Sequence, residues 1–407
     1  MAHDSPGQPL KPVEEALALI CTGVAPLEAE SVPIEEALGR VLAAPLAARL
    51  TQPPFDASAM DGYAVKAADL TRIPARLRVI GESAAGHPFG GNVAAGEAVR
   101  IFTGAPVPAG ADSVVIQEDT GREGETVVVR EGGSAGQNIR KAGFDFRAGQ
   151  PLIGAGRRLN ARELSLAAAM GHGTLAVRRR PVVALVATGD ELVPPGETPG
   201  PGQIVSSLPV GLAGMVRGAG GVALPLGIAR DTLSSLDEHI ARGASADILV
   251  TIGGASVGDH DLVHKALAAR GLSLAFWRIA MRPGKPLMFG RLGDQRVLGL
   301  PGNPVSAMLC ARVFLVPLIN ALLAPTADPA AARRIALAVD AEANGPRQHY
   351  VRAVVETDGA GARVRPLPSQ DSSLVSGLAR ADVLIVRPPH APAAAAGSMV
   401  DVLPLDF

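Results

Sequence analysis

Between Pro181 and Leu300, short apolar runs alternate with segments of helical periodicity, and this alternation limits the possible folds more than any other feature of the sequence. The runs predict buried strands, and the segments between them predict helices. The predicted strands are 181–187, 222–227, 247–252, 276–280 and 297–300, and the predicted helices are 205–218, 231–242 and 262–270. This order predicts a doubly wound sheet of parallel strands, whose ligands bind beyond the C-terminal strand ends.

One of these strand ends is followed by a loop rich in glycine and aspartate. Its notable residues are Gly253, Gly254, Ser256, Gly258, Asp259 and Asp261. Glycines let backbone N–H groups turn towards an anion, and the N-terminus of the next helix adds partial positive charge. Carboxylates beside an anion require a divalent cation between them, so the loop indicates phosphate together with a hard metal ion. A surface turn with an aspartate capping the helix explains this stretch alone equally well.

Neighbouring loops add carboxylates and cations. They contribute Asp190, Glu191, Asp231, Arg282, Lys285 and the segment Pro301–Pro304. Backbone donors, two cations and several carboxylates suit a nucleotide or phosphate ester, a divalent metal and a second oxyanion. Taken alone, Asp231 is better explained as the N-cap of the helix that follows it. Ser256 and Ser306 have no recognisable base nearby in the sequence, so a nucleophilic serine is not supported.

Composition and charge exclude other classes of protein. The net charge is −1 and there is no basic run, so binding to nucleic acid or to a membrane surface is not expected. Cys21 and Cys310 lie far apart and no apolar leader begins the chain, which predicts a cytoplasmic protein. The apolar segment 305–325 contains arginine, proline and asparagine, and therefore predicts a buried helix instead of a membrane span. His260 and His264 lack the other residues of a zinc motif.

The regions outside the α/β segment predict three further structural units. Residues 1–50 and 145–178 form an elongated scaffold with helices at 13–23, 34–46 and 159–170, and an inserted β domain at 51–144 interrupts it. Residues 179–326 form the α/β domain, and 327–407 form a C-terminal β domain. In the inserted domain, Arg140 and Lys141 beside Asp145 are either a surface ion pair or an anion clamp.

Seven motifs, in order along nearly the whole chain, resemble the MoeA family of molybdopterin molybdenumtransferases, which is related to the gephyrin E domain. They are MDGYA (60–64), FTGAPVP (102–108), IRKAGFD (139–145), ATGDEL (187–192), GGASVGDHD (253–261), MRPGKP (281–286) and LPGNPVSA (300–307). The resemblance implies a multidomain α/β plus β protein. Its central doubly wound α/β domain binds molybdopterin, its elongated scaffold is interrupted by an inserted β domain, and its C-terminal domain is β-barrel-like.

The resemblance also implies the reaction, in which molybdate is inserted into adenylylated molybdopterin and AMP is released with Mg²⁺. It implies a homodimer, with each active site between the α/β domain of one subunit and the inserted domain of its partner. Molybdopterin adenylyltransferase is the expected substrate donor, and molybdoenzyme maturation factors are possible partners. The sequence leaves open molybdate against tungstate, the physiological metal and the acceptor enzymes.

Matching the motifs residue by residue assigns the candidate site. The implied catalytic carboxylates are Asp61, Asp145, Glu191, Asp231 and Asp261, of which Asp231 and Asp261 hold the metal. The implied substrate-binding residues are Thr103, Thr188, Gly189, Gly253, Gly254, Ser256, Gly258, Arg282, Lys285, Pro301, Gly302, Asn303, Pro304 and Ser306. The chain departs from the family at 205–207, where Val-Ser-Ser replaces the usual Asp-Ser-Asn, although a serine hydroxyl can still cap the next helix.

Two other functions are compatible with these motifs. One is a scaffold that binds molybdopterin or a nucleotide without turnover, and the other is a Mg²⁺-dependent nucleotide pyrophosphohydrolase. The number of carboxylates argues against a pure binder, since each is costly to keep in a site. The two flanking β domains and the MDGYA and TGAPVP loops argue against the hydrolase.

Overall fold

The computed structural model of the chain describes residues 10–254, 262–324, 333–359 and 361–405. Its first half consists of a scaffold and a domain of short strands. The helices and strands, in chain order, are α1 Val13–Cys21, β1 Ala29–Pro33, β2 Leu46–Ala47, β3 Ala57–Ser58, β4 Gly62–Val65, β5 Ala75–Ser83, β6 Glu97–Ile101, β7 Ser113–Ile116, β8 Thr120–Glu123, β9 Thr126–Val129, β10 Ile139–Arg140, β11 Pro151–Ile153, α2 Ala161–Ala169 and β12 Thr174–Arg178.

The pairing of these strands confirms an interrupted scaffold. Strand β1 pairs with β12 and β2 pairs with β11, both antiparallel, so the segments before and after the inserted domain form one unit. The inserted domain is a six-stranded sheet in the order β7-β4-β6-β5-β9-β8. Alternate side chains of its strands are apolar and fill two small cores, as the alternating pattern requires.

Two scaffold helices were predicted correctly and one was not. Helix α2 begins at the predicted cap Asn160, whose side chain accepts hydrogen bonds from Arg162 N and Glu163 N in a capping box. The predicted helix 34–46 is wrong, because only Ile34–Glu36 is helical, as a single 3₁₀ turn. Gly39 then takes φ = 73° and reverses the chain, and Leu42 N bonds to Arg157 O instead of continuing a helix.

The central region forms the predicted α/β domain. Its elements are β13 Val182–Thr188, β14 Leu192–Val193, β15 Ile204–Val205, α3 Leu208–Gly218, β16 Val222–Ala229, α4 Leu233–Arg242, β17 Ile248–Ile252, α5 Leu262–Ala269, β18 Ser273–Arg278, β19 Met281–Arg282, β20 Pro286–Leu292, β21 Gln295–Leu300, α6 Pro304–Cys310 and α7 Val316–Leu323. Strands β16-β13-β17-β21 are parallel, whereas β20 and β18 extend the sheet as antiparallel neighbours that the sequence pattern did not predict.

Helices cover both faces of this sheet, as expected for a doubly wound fold. One face packs on α4 and α5, and the other packs on α1, α3, α6 and α7. The helical segment Pro304–Leu323 has the length and apolarity needed to cross a membrane, but 83% of its most apolar window is buried within the protein. It therefore serves as the central helix of the larger core, as its polar residues predicted.

The C-terminal region is a closed barrel. Its elements are β22 Arg333–Leu337, β23 Gln348–Asp358, β24 Gly361–Pro366, α8 Val375–Ala379, β25 Val383–Arg387 and β26 Met399–Pro404. The strand order β23-β24-β22-β26-β25 closes through an additional pairing of β25 with β23. Strand β19 of the α/β domain pairs in parallel with β23, so the barrel is joined directly to the loop that contains Lys285.

An ion pair fixes the start of the α/β domain. Asp247 accepts hydrogen bonds from Arg179 Nη1 and Nη2 at 2.9 and 2.8 Å and from Val182 N at 2.7 Å. Burial by itself raises the pKa of Asp247, but the bonds from Arg179 and Val182 outweigh it and lower the pKa below its usual value of 3.8. A lowered pKa means that the carboxylate stabilises the fold above the pKa of the unfolded chain and loses that effect as the pH falls.

We therefore expect Asp247→Asn to lower the free energy of unfolding by about 2 kcal/mol at pH 7, because Arg179 loses the more buried of its two carboxylate partners, Asp247 and Glu28. The difference from the wild type shrinks as the pH falls from about 4 through the lowered pKa of Asp247, because the wild-type carboxylate then becomes neutral as asparagine already is. Denaturant unfolding at several pH values measures both effects. Glu36→Gln removes an exposed carboxylate and serves as the control, and a loss independent of pH would contradict the role of the charge.

Candidate active site

A cavity of about 1150 Å³ opens at the C-terminal edge of the α/β sheet. The loops after β13, β16, β17 and β21 line it, together with the turn between β19 and β20. The sequence-predicted residues that line it are Thr188, Gly189, Glu191, Asp231, Gly253, Gly254, Lys285, Pro301, Gly302, Asn303 and Pro304. The loops at the strand ends therefore line one cavity, as the strand-end argument expected.

Glycines bring three of these loops into contact. Gly253 has φ = 93°, and a Cβ at this position would lie 2.9 Å from the carbonyl oxygen of Thr188. Gly253 N donates to Leu300 O at 3.1 Å, and a Cβ on Gly302 would lie 3.7 Å from the Cα of Gly253. Only glycine fits Gly253 without moving its neighbours, so this residue allows the close contact between the loops after β13 and β17.

Two exposed carboxylates, Glu191 and Asp231, face the cavity. The expectation that Asp231 caps helix α4 is wrong, because the side chain of Thr232 accepts the capping hydrogen bond from Ser235 N at 3.3 Å. Asp231 instead accepts from Asp190 N and donates its own N–H to the carboxylate of Asp190, both at 3.4 Å. This reciprocal contact joins the loops after β13 and β16 and directs Asp231 to the cavity.

The carboxylates of the cavity fit a magnesium ion whose remaining ligands are waters and phosphate oxygens of the substrate. Within residues 10–254, 262–324, 333–359 and 361–405, no three His, Cys, Asp or Glu side chains form a closed metal cage. Mg²⁺ does not need such a cage, since it is held by one or two carboxylates together with waters and substrate phosphates. Glu191 and Asp231 supply oxygen ligands of that kind beside the glycine loops.

Lys285 supplies one of the positive charges in the cavity. Its backbone carbonyl accepts a hydrogen bond from Ile279 N at 3.0 Å, and the preceding Gly284 packs against Cys310, where a Cβ would lie 2.5 Å from the sulfur. The turn is therefore held from both sides, in agreement with the predicted stiffness. Arg282 is exposed on β19 and does not line the cavity, and Ser306 is buried in α6 outside it.

Sequence reasoning missed residues that line the cavity, among them Arg278 and Ser373. Ser373 comes from the C-terminal domain, on a loop that Arg352 holds by donating to the carbonyls of Ser369, Asp371 and Leu374. Val305 N donates to Ser372 O at 3.1 Å, so this loop sits on the start of helix α6. The polar run Ser369–Ser373 could have indicated a functional loop in the sequence. Its place at this cavity, however, depends on how the C-terminal barrel packs against the α/β domain.

The departure at 205–207 changes one expected contact. Ser206 is buried at the cavity wall, where its N–H donates to Val193 O at 2.9 Å. Ser207 precedes helix α3, but its side chain makes no capping hydrogen bond, so the expectation of a serine cap is wrong there. The loop is ordered instead by the short parallel pairing of β14 with β15.

A second group of predicted residues lies on the inserted domain and does not line the cavity of its own chain. The carboxylate of Asp61 accepts hydrogen bonds from Thr103 N and Thr103 Oγ1, both at 2.7 Å. The backbone and then the hydroxyl of Thr103, with Arg100 nearby, lower the pKa of Asp61 and keep it ionised. Arg100, which sequence reasoning also missed, donates to Gly62 O and stacks over Tyr63 and Phe102.

Asp145 lies on the same domain with an exposed side chain, and its backbone N–H donates to Gln52 O. Lys141 forms an ion pair with Asp56 at 2.8 Å. The prediction of a surface ion pair is therefore correct, but the partner is Asp56 and not Asp145. Three predicted residues, Ser256, Gly258 and Asp261, lie outside the described residues.

Three regions of the chain match known protein families. Residues 11–171 match the MoeA N-terminal region (domains I and II), residues 184–321 a probable molybdopterin binding domain, and residues 334–405 the MoeA C-terminal region (domain IV). The chain belongs to the MoeA family.

Curated relatives within the MoeA family carry one activity. Molybdopterin molybdenumtransferase 2 from Mycobacterium tuberculosis is 34% identical, with 91% of this chain and 94% of the relative covered. The molybdopterin molybdenumtransferase from Bacillus subtilis is 32% identical, with 96% and 93% covered. Two solved MoeA structures from Pyrococcus horikoshii are similar, with TM-scores of 0.85 and 0.83 at 30% and 27% identity, and they cover 98% and 97% of this chain and 100% of their own. The MoeA chain described here is thus a transferase of molybdenum cofactor biosynthesis.

Proposed function

We propose that this enzyme inserts molybdate into adenylylated molybdopterin and that the cavity of the α/β domain is where the adenylate is cleaved to release AMP. The observation that carries the proposal is the meeting of glycine loops, Lys285 and two carboxylates in one cavity at the strand ends. A cavity of about 1150 Å³ is large enough for a nucleotide joined to a second ring system.

Each part of the cavity has a role in this proposal. The N–H groups near Gly253 and Gly302 and the ammonium of Lys285 hold phosphate and molybdate oxygens. Asp231 and Asp261 hold Mg²⁺, as the resemblance to the family implies, and Glu191 is a further carboxylate in the cavity; the ion would supply Lewis acidity to the phosphoanhydride. Thr188, Gly189 and Asn303 orient the nucleotide, and Arg282 and Ser306 support the two loops from behind. We also propose the domain division given by the sequence, with the α/β domain at 179–326.

We propose further that Asp61, Thr103 and Asp145 act on the cavity of a partner subunit. They do not line the cavity of their own chain, yet Asp61 and Thr103 are hydrogen-bonded to each other, Asp61 half-buried and Thr103 exposed. Nearby apolar side chains are also exposed, with Phe144 at 73% and Met60 at 43%. Exposed apolar groups beside ionised site residues are typical of a surface that another subunit covers.

The physiological setting follows from the same proposal. The substrate is an adenylylated dithiolene, so an adenylyltransferase must supply it, and molybdoenzyme maturation factors receive the product. The enzyme is expected to work in the cytoplasm without nucleic acid or membrane partners, since its net charge is −1.

The direct test measures AMP release from adenylylated molybdopterin with Mg²⁺ and low-micromolar molybdate. We expect AMP release that depends on molybdate, and a loss of about a hundredfold or more in Asp231→Asn, because one oxygen ligand of the metal loses its charge. Glu197→Gln is the matched control, since Glu197 is exposed on the same side of the domain but does not line the cavity. Tight binding without AMP release would support a scaffold, and AMP release indifferent to molybdate would support a pyrophosphohydrolase.

A further inference from the structure

A second cavity, of about 460 Å³, lies at the opposite edge of the α/β sheet. It opens at the N-terminal ends of β17 and β21 and is bordered by Asp247, Arg291, Asp294 and Arg296 and by the chain around Gly23. The candidate active site lies at the other ends of the same strands. At about 3.3 Å per residue, five or six residues of strand separate the two cavities by roughly 17 to 20 Å.

Arg296 is buried in the wall of this second cavity, with only 8% of its surface exposed. One guanidinium nitrogen, Nη2, donates to Gly23 O at 3.1 Å. Its Nε–H is fully buried and has no hydrogen-bond partner within the described residues. An orphaned buried donor on a charged group costs more than one on a neutral group, so this position calls for an acceptor.

No carboxylate in the described part of the chain forms an ion pair with Arg296 or with the neighbouring Arg291. Asp247 is already committed to Arg179 and Val182 N, and Asp294 is exposed on the turn between β20 and β21. The thiol of Cys21 is no counter-ion, because burial raises its pKa and leaves it neutral. Burial lowers the pKa of Arg296 and the nearby Arg291 adds to this effect, whereas Asp294 and Asp247 raise the pKa without outweighing burial.

Arg291 adds a second guanidinium to the same wall. Its Nη2 donates to Thr22 O at 2.7 Å, and this bond fixes the position of the guanidinium. Its other N–H groups can donate to a ligand. Both arginines are thus anchored by carbonyls at the end of helix α1, through Thr22 and Gly23. Two anchored guanidiniums beside a cavity are preorganised for an oxyanion.

We propose that this second cavity is a binding site for a small oxyanion, a phosphate or a carboxylate, held by Arg291 and Arg296. The bound oxyanion neutralises the buried charge of Arg296, which lines the cavity. Strands β17 and β21 connect this site to the glycine loops of the first cavity, but the proposal concerns binding alone and is independent of the reaction.

The test is calorimetric titration with inorganic phosphate and, separately, with acetate, at constant ionic strength adjusted with chloride. The protein carries Lys285→Ala in every case, which removes one of the two cationic side chains, Lys285 and Arg278, that line the described part of the first cavity. We expect saturable binding that weakens by about tenfold or more in Arg291→Gln, since one charge-assisted contact is lost. Binding of phosphate alone identifies a tetrahedral ligand and binding of acetate identifies a carboxylate. Binding of neither, or binding unchanged by Arg291→Gln, overturns the proposal.

A second variant separates ligand binding from a structural role of Arg296. In chloride we expect Arg296→Met to raise the unfolding midpoint, because it removes an unpaired buried charge at similar volume. In saturating phosphate the midpoint of the parent protein rises while that of Arg296→Met does not. A lower midpoint in chloride together with equal responses to phosphate would show that Arg296 only supports the fold, and would overturn the site.

Discussion

Gly62→Ala is expected to destabilise the inserted domain by more than about 3 kcal/mol. Gly62 is the first residue of β4, which lies between β7 and β6 in the sheet. A Cβ there would lie 1.8 Å from the carbonyl oxygen of Val115 and 2.8 Å from its carbonyl carbon. Both atoms belong to the backbone of β7, so no side chain can rotate away and the two strands must separate.

The same substitution is expected to affect the candidate site. Gly62 follows Asp61 directly, and its carbonyl accepts the hydrogen bond by which Arg100 braces this loop at 3.0 Å. Denaturant unfolding measures the stability, and AMP release measures the activity. Gly90→Ala is the matched control, because Gly90 is exposed in the same domain and a Cβ there meets no atom within 4 Å. We expect the control to stay within about 1 kcal/mol of the wild type. Equal midpoints for the two variants would show that the strands open without cost.

Much of the fold could be predicted from periodicity because burial imposes it. The strands of the α/β domain are apolar on both faces and lie between helices, so their run lengths alone indicate a doubly wound sheet. The segment 34–46 has helical spacing as well, but its apolar residues pack against β12 and the strand segments around it. Local spacing cannot distinguish these two outcomes, since the tertiary contacts that decide them involve residues more than a hundred positions away.

The candidate site was predictable where it depends on strand ends and unpredictable where it depends on docking. Glu191, Gly253 and Asn303 follow three parallel strands, so the topology alone brings them to one edge. Ser373 reaches the same cavity only because β19 pairs with β23 and the loop after β24 rests on α6. The role of Asp231 was obscured by its neighbour, because Thr232 is also a favourable helix cap, and the preference for aspartate at this position pointed to the wrong residue.

The strongest test of a shared site mixes two inactive subunits. We expect Asp61→Asn and Lys285→Ala each to lose nearly all AMP release as homodimers. Thr103 N and Oγ1 both donate hydrogen bonds to the carboxylate of Asp61. Asparagine replaces this ionised acceptor by a neutral amide and so weakens both bonds. Lys285→Ala removes the ammonium group that the turn between β19 and β20 contributes to the first cavity. In the proposed homodimer, each variant alone damages both sites.

A heterodimer of the two variants, purified through a different tag on each subunit, is expected to recover about half of the wild-type activity. One of its two sites combines an intact Asp61 from one subunit with an intact Lys285 from the other, and the second site lacks both. The matched control pairs Lys285→Ala with Asp231→Asn. These residues line the same cavity, so neither site of that heterodimer is intact and no activity returns. If the Asp61→Asn heterodimer were as inactive as its parents, the two residues would have to act within one chain.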